Sequence, residues 1–77
     1  MQVFIRNANT LTFEIRSTDT IADVKFKYFE RTGIPTQYIV LSYYGKYLND
    51  NKEISEYNIT KDTTIHMHVR TPVYLHN

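Results

Sequence analysis

The feature that most constrains this chain is a change of period. Met1, Val3 and Ile5 alternate with Gln2, Phe4 and Arg6, and Leu11, Phe13 and Ile15 alternate with Thr10, Thr12, Glu14 and Arg16. Period-two alternation is the mark of a half-buried strand. Asn7-Ala8-Asn9 between the runs supplies residues that tolerate positive φ, which predicts an antiparallel hairpin. At Ser17-Thr18-Asp19-Thr20 the alternation stops, and Ile21, Val24 and Tyr28 recur at helical spacing. Thr20 followed by Asp23 predicts an N-cap with a near capping box, and Gly33 before Ile34-Pro35 predicts a left-handed C-cap. A helix of about three turns lies between them.

The rest of the chain returns to period two. Ile39, Leu41 and Tyr43 alternate with Val40, Ser42 and Tyr44 before Gly45-Lys46, which predicts a third strand entering a turn, with a short fourth around Tyr47-Leu48. After the polar turn Asn49-Asp50-Asn51, apolar residues from Ile54 to Ile59 anchor the next segment. Thr64 to Arg70 then reads as a last strand with Ile65, Met67 and Val69 on one face. Residues 71–77 have no period and contain Pro72, so they are expected to form a flexible C-terminal tail after a domain spanning 1–70. One helical stripe and one sheet face must cover each other, so the fold class is α+β, a mixed sheet of four to five strands packed on one helix. The other sheet face is left open to partners.

Packing alone must hold this fold, because the 77 residues include no cysteine for disulfides or thiolate metal sites. With 42% hydrophobic residues the chain can build a core. No apolar run reaches membrane-spanning length and the first residues do not read as a signal peptide, so a cytoplasmic or nuclear location is expected. Nine basic against eight acidic residues, a net charge of +1, leave no footprint for nucleic acid or for a membrane surface. The expected partners are proteins, and the chain is expected to be a monomer. No phosphate loop, metalloprotease pattern, nucleophile elbow or cysteine nucleophile is present, so no enzyme and no cofactor are expected. His66 and His68 stand at i, i+2, which turns both imidazoles to the open face. A metal would need a further ligand, so the histidines read as solvated or partner-contacting.

At this level of detail the chain resembles the ubiquitin family from residue 1 to about residue 70. The resemblance rests on Met1-Gln2 and Phe4, on Asp19-Thr20-Ile21 with Val24-Lys25, and on Gly33-Ile34-Pro35. It continues through Leu41, Gly45-Lys46, Leu48 and Asp50, through Ser55, Tyr57-Asn58-Ile59 and Lys61, and through Thr64, His66 and Arg70. The spacing is kept, with a first hairpin loop shorter by two residues. The resemblance implies a β-grasp fold, an ion pair of Lys25 with Asp50, and a structural role for Tyr57, whose hydroxyl would bond nearby backbone. It also matches Lys46, Lys61, Lys25 and Lys27 to family lysines.

Three departures bear on function. Family members that are conjugated carry a glycine pair where this chain has Val73 and Tyr74, and no Gly-Gly occurs in its 77 residues. The aliphatic patch that receptors of the family usually contact is matched here by Ala8, Ser42 and His68. Each aliphatic side chain lost removes roughly 1.5–3 kcal/mol of burial if fully covered, so ordinary receptors should bind poorly. On the helix, Ala22, Phe26 and Phe29 form a second apolar face, either a partner surface or a satellite cluster folded over a loop. The expectation is a non-catalytic ubiquitin-like interaction module that acts non-covalently. Its protein-binding residues would be Phe4, Val40, Ser42, Tyr44, Lys46, His66 and His68 on the sheet side and Phe26 and Phe29 on the helix. Two alternatives stay open: a mimic or divergent modifier that engages ubiquitin-pathway enzymes, and a scaffold in an RNA-processing assembly.

Overall fold

The structure is a computed structural model that describes residues 1–70, and the tail expected at 71–77 lies outside the described residues. Strands β1 (Gln2–Arg6) and β2 (Thr10–Glu14) pair antiparallel, with Val3 opposite Phe13 and Ile5 opposite Leu11. The loop between them is closed by the Asn7 N–H donating to the Asn9 carbonyl at 3.0 Å. Neither asparagine takes a positive φ, which falls among the described non-glycine residues on Tyr44, Asn58 and Asp62.

Helix α1 (Ile21–Thr32) starts and stops where its caps dictate. The Thr20 hydroxyl accepts from the Asp23 N–H at 3.2 Å, and the Asp23 carboxylate accepts from the Thr20 N–H at 3.0 Å. Two N–H groups that a helix leaves without partners are thereby satisfied. At the other end Gly33 takes φ 78° and its N–H donates to the Phe29 carbonyl at 2.7 Å. A side chain would strain that left-handed position.

Strands β3 (Ile39–Tyr43), β4 (Lys46–Tyr47) and β5 (Thr64–Val69) complete a sheet of order β2-β1-β5-β3-β4. The β1 and β5 strands run parallel at its centre and the other neighbours are antiparallel. This is the expected α+β, β-grasp arrangement. β4 begins one residue earlier than the sequence reading placed it, because Tyr44-Gly45 form a two-residue turn with φ 53° and 72° and pairing resumes at once. Val3, Ile5, Leu41, Ile65 and Met67 from the sheet meet Ile21, Val24 and Tyr28 from the helix, all buried. Val69 is half-exposed instead of facing the core, since it lies three positions past His66, the last β5 residue paired with β1. Among the described residues no helix is long and apolar enough to cross a membrane.

The segment after β4 is held by its own bonds. A 3-10 turn at Ile54–Tyr57 buries Ile54, and Asn58 follows in the left-handed region. The Tyr57 hydroxyl accepts from the Asn49 N–H at 2.8 Å, the structural role anticipated for it. The Asp50 and Lys52 carbonyls accept from the Ala22 and Ile21 N–H groups, so this loop also covers the first turn of the helix.

Candidate functional site

Residues directly opposite on neighbouring strands share a face of the sheet. The register therefore arranges the open face into rows. Thr10, Arg6, His66, Ser42 and Tyr47 form one row that crosses all five strands. Thr12, Phe4 and Thr64 make the next row on one side, and His68 with Val40 lies on the other. Phe4, Val40, His66 and His68 are thus brought together on one surface.

Ser42 does not offer the open contact expected of it. It is 8% exposed, because the larger Tyr47 and His66 side chains flank it across both strand pairs. It forms the floor of the row, with Tyr47, 75% exposed, standing as a wall. Tyr47 and Arg6, neither of them among the residues singled out for the sheet side, join the same row. The signal that would have found both is register: once β4 starts at Lys46, Tyr47 must face Ser42. The same register removes Lys46 from the row. Lys46 lies opposite Tyr43 and lines a groove with Tyr44, Glu56, Tyr57 and Asn58.

Tyr44 stands beyond the end of β3 at the tip of the turn, 89% exposed, its ring edge-on to Tyr43 at 4.6 Å between centroids. A bulky residue at φ 53° is held against its preference, by about 1–2 kcal/mol. Two grooves take in side chains from these rows. One is lined by Tyr43, Tyr44, Gly45, Thr63, Thr64 and His66. The other is lined by Lys25, Val40, Tyr47, Leu48, His68 and Arg70. No carboxylate lines either groove.

On the helix, Phe26 and Phe29 are both exposed, their ring centroids 6.0 Å apart and tilted by 46°. They touch each other and line a shallow apolar groove with Pro35, Thr36 and Gln37. The pair does not fold down into a satellite core. It lies on the helix, a different element from the sheet rows, so the candidate residues of the sheet and of the helix occupy two separate surfaces.

Charged groups near these surfaces are tied into the fold. Lys25 Nζ meets Asp50 Oδ1 at 2.7 Å, as expected. Arg31 donates to the Thr12 carbonyl at 2.9 Å and lies 4.8 Å over the Phe13 ring, which covers part of the outer edge of β2. The Thr20 N–H bond, together with the Thr20 hydroxyl, holds the Asp23 carboxyl below its ordinary pKa of 3.8, with Lys27 adding a smaller effect. Among the described residues no group of three or more His, Cys, Asp or Glu is placed to hold a metal ion.

With this geometry in hand, comparison with known proteins agrees with the fold. The sequence model of a family described as the ubiquitin family matches residues 3–72. Splicing factor 3A subunit 1 of Homo sapiens is 31% identical over 61 residues, which is 79% of this chain and 8% of that protein. The Bos taurus protein of the same name matches equally. The chain thus spans a small part of the length of these relatives. NEDD8-like protein RUB3 of Arabidopsis thaliana is 33% identical over 57 residues, 74% of this chain and 73% of that protein. The chain belongs to the ubiquitin family.

Proposed function

We propose that this chain is a non-catalytic, ubiquitin-like interaction module that binds protein partners non-covalently through its open sheet face. The observation that carries this reading is the pairing of two sequence facts with one geometric fact. Val73 and Tyr74 stand where the family's conjugated members have a glycine pair, and the only glycines are Gly33 and Gly45. A side chain there would clash in the narrow channel through which an activated C-terminal strand must pass. Meanwhile Arg6, His66 and Tyr47 present exposed side chains that the core does not use, in one row over the buried Ser42. The partners are protein components, including those of the ubiquitin pathway, reached in the cytoplasm or the nucleus by a monomer.

The test has two arms. Incubation with an activating enzyme and ATP should give no thioester, and a thioester would overturn the non-covalent reading. Partners captured by the wild-type chain should be lost on Ser42→Arg, which raises the floor of the row, or on Phe26→Ala, which empties the helix groove. If neither change removes any partner, both surfaces are wrongly placed.

A second reading is supported by one comparison. The likeness to part of a splicing factor subunit favours a role as a scaffold domain in an RNA-processing assembly. That role uses the same surfaces and differs in the company the chain keeps, so co-purification with such an assembly distinguishes it. The likeness to a NEDD8-like protein favours instead a mimic that engages modifier enzymes, which the thioester arm addresses.

A further inference from the structure

We infer that the groove beside Phe26 and Phe29 is filled by this chain's own segment 73–75, with Val73 and Leu75 lying against the two rings. The inference does not depend on the sheet-face reading, and it assigns an occupant to the second surface.

The groove limits what can enter it. Phe26 and Phe29 line it from the helix and Pro35, Thr36 and Gln37 from the segment that follows, and none of the five carries a charge. Its volume is about 190 Å³. Small-molecule sites begin near about 300 Å³, so this groove suits a few apolar side chains of a polypeptide. The chain leaves the sheet close by. Val69 pairs with Ile39 at the end of β5, and the next N–H, that of Arg70, donates to the Tyr38 carbonyl at 2.6 Å. Tyr38 directly follows Gln37, and its own N–H donates to the Pro35 carbonyl at 3.0 Å. Arg70 is thus pinned one residue away from the part of the chain that walls the groove. From there five extended residues span up to about 16 Å, more than the diameter of a helix at about 10–12 Å.

The residues after Arg70 have the chemistry to fill it. Pro72 has no N–H with which to prolong the β5 ladder, and it biases the residue before it toward extended angles. In an extended segment Val73 and Leu75 share a side about 7 Å apart, close to the 6.0 Å between the Phe26 and Phe29 ring centroids. Tyr74 then faces away from the rings. No Asp, Glu, Lys or Arg occurs in 71–77, so covering the groove strands no ion of the segment. A tethered segment meets the groove at an effective concentration in the millimolar range, which a comparable segment at micromolar concentration in solution does not match. Burial of exposed phenyl surface supplies the driving force.

The experiment is NMR on the full chain with isotope-labelled methyl groups. The expected result is Val73 and Leu75 methyl signals shifted upfield of their positions in concentrated urea, with nuclear Overhauser contacts to the Phe26 and Phe29 rings that persist on dilution. The double variant Phe26→Gln/Phe29→Gln should return the methyl signals to their urea positions while the amide signals of β1 and β5 stay in place. Leu75→Ser should weaken the Val73 contacts, and Tyr74→Ser should leave both sets unchanged. Wild-type methyl signals at their urea positions, an upfield shift that survives in the double variant, or loss of the contacts on Tyr74→Ser would each overturn the inference. Contacts that fade on dilution would place the segment in the groove of a second copy and overturn it too. Loss of captured partners on Phe26→Ala, alongside wild-type methyl signals at their urea positions, would sink this inference while leaving the groove as a partner surface.

Discussion

Breaking the Lys25–Asp50 pair from either side should give unequal results. The Lys25 side chain is 12% exposed and the Asp50 side chain 56%, although their charged atoms meet at 2.7 Å. Asp50→Asn keeps the size of the loop residue but leaves a nearly covered ammonium without its counter-charge. A hydrogen bond to a charged group contributes about 1.5–3 kcal/mol, and discounting for the exposed carboxylate puts the loss at about 2 kcal/mol. Lys25→Met keeps the length of the stem and removes the ammonium, and the stranded carboxylate can be hydrated, so the loss should stay below about 1 kcal/mol. The double variant should then cost little more than Lys25→Met alone, giving a coupling energy near 1.5 kcal/mol in magnitude. For a domain of this size Asp50→Asn should lower Tm by about 8–16 °C. Urea unfolding at neutral pH, followed by far-UV circular dichroism and tyrosine fluorescence, measures all four corners. Equal losses from the two single changes, or a double variant whose loss is their sum, would show that the pair is a solvated surface contact. The loop from Asn49 to Lys52 would then be held by its backbone bonds to the helix and by the Tyr57 hydroxyl at Asn49.

Three further outcomes can be checked with the same assays. The bond from the Thr20 N–H lowers the Asp23 pKa, so its stabilising share is present above the unfolded value near 3.8 and is lost as pH falls through the lower folded value. Asp23→Ala should therefore be less stable than wild type at neutral pH, with the gap narrowing as pH falls below 3.8; a gap that does not narrow refutes the capping role. Tyr57→Phe removes the acceptor of the Asn49 N–H and should cost about 1 kcal/mol, near 4–8 °C in Tm, and an unchanged Tm would mean that water replaces the hydroxyl without loss. Phe26→Gln should change stability by less than about 1 kcal/mol, as a surface site does, whereas a loss above about 3 kcal/mol would mark the pair as core.

The parts of the fold that could be read from sequence are those encoded locally. Thr20, Asp23 and Gly33 define the helix ends through bonds within a few residues of each other, and the alternation in β1, β2 and β5 assigns each face without knowledge of the neighbours. What could not be read depends on pairs far apart in sequence. Ser42 alternates as an exposed residue, yet its burial is decided by Tyr47 and His66 on two other strands. Val69 alternates as a core residue, yet β1 does not extend far enough to cover it. Which of Lys46 and Tyr47 faces Ser42 is likewise decided by the pairing of β4 with β3, because a one-residue shift in strand register moves a side chain to the opposite face.

The division between these two kinds of residue explains how the face can change while the fold is kept. The core side chains Val3, Ile5, Leu41, Ile65 and Met67 alternate with Phe4, Ser42, His66 and His68 on the same strands. A strand thus carries two separable sets of positions, one that must fill the space against the helix and one that does not. Exchanging an aliphatic patch for a serine floor, two imidazoles and a tyrosine wall costs little in packing, since those side chains are held mainly by their cross-strand neighbours. The exception is Tyr44, where the backbone itself is strained at φ 53° and the side chain contacts Tyr43 at the groove beside His66. Neither the core nor the turn requires a tyrosine there: asparagine or glycine suits a left-handed turn position better. The ring's 4.6 Å contact with Tyr43 offsets part of the strain, by about 0.5–1.5 kcal/mol. Its other consequence is to place an aromatic rim over the groove beside His66.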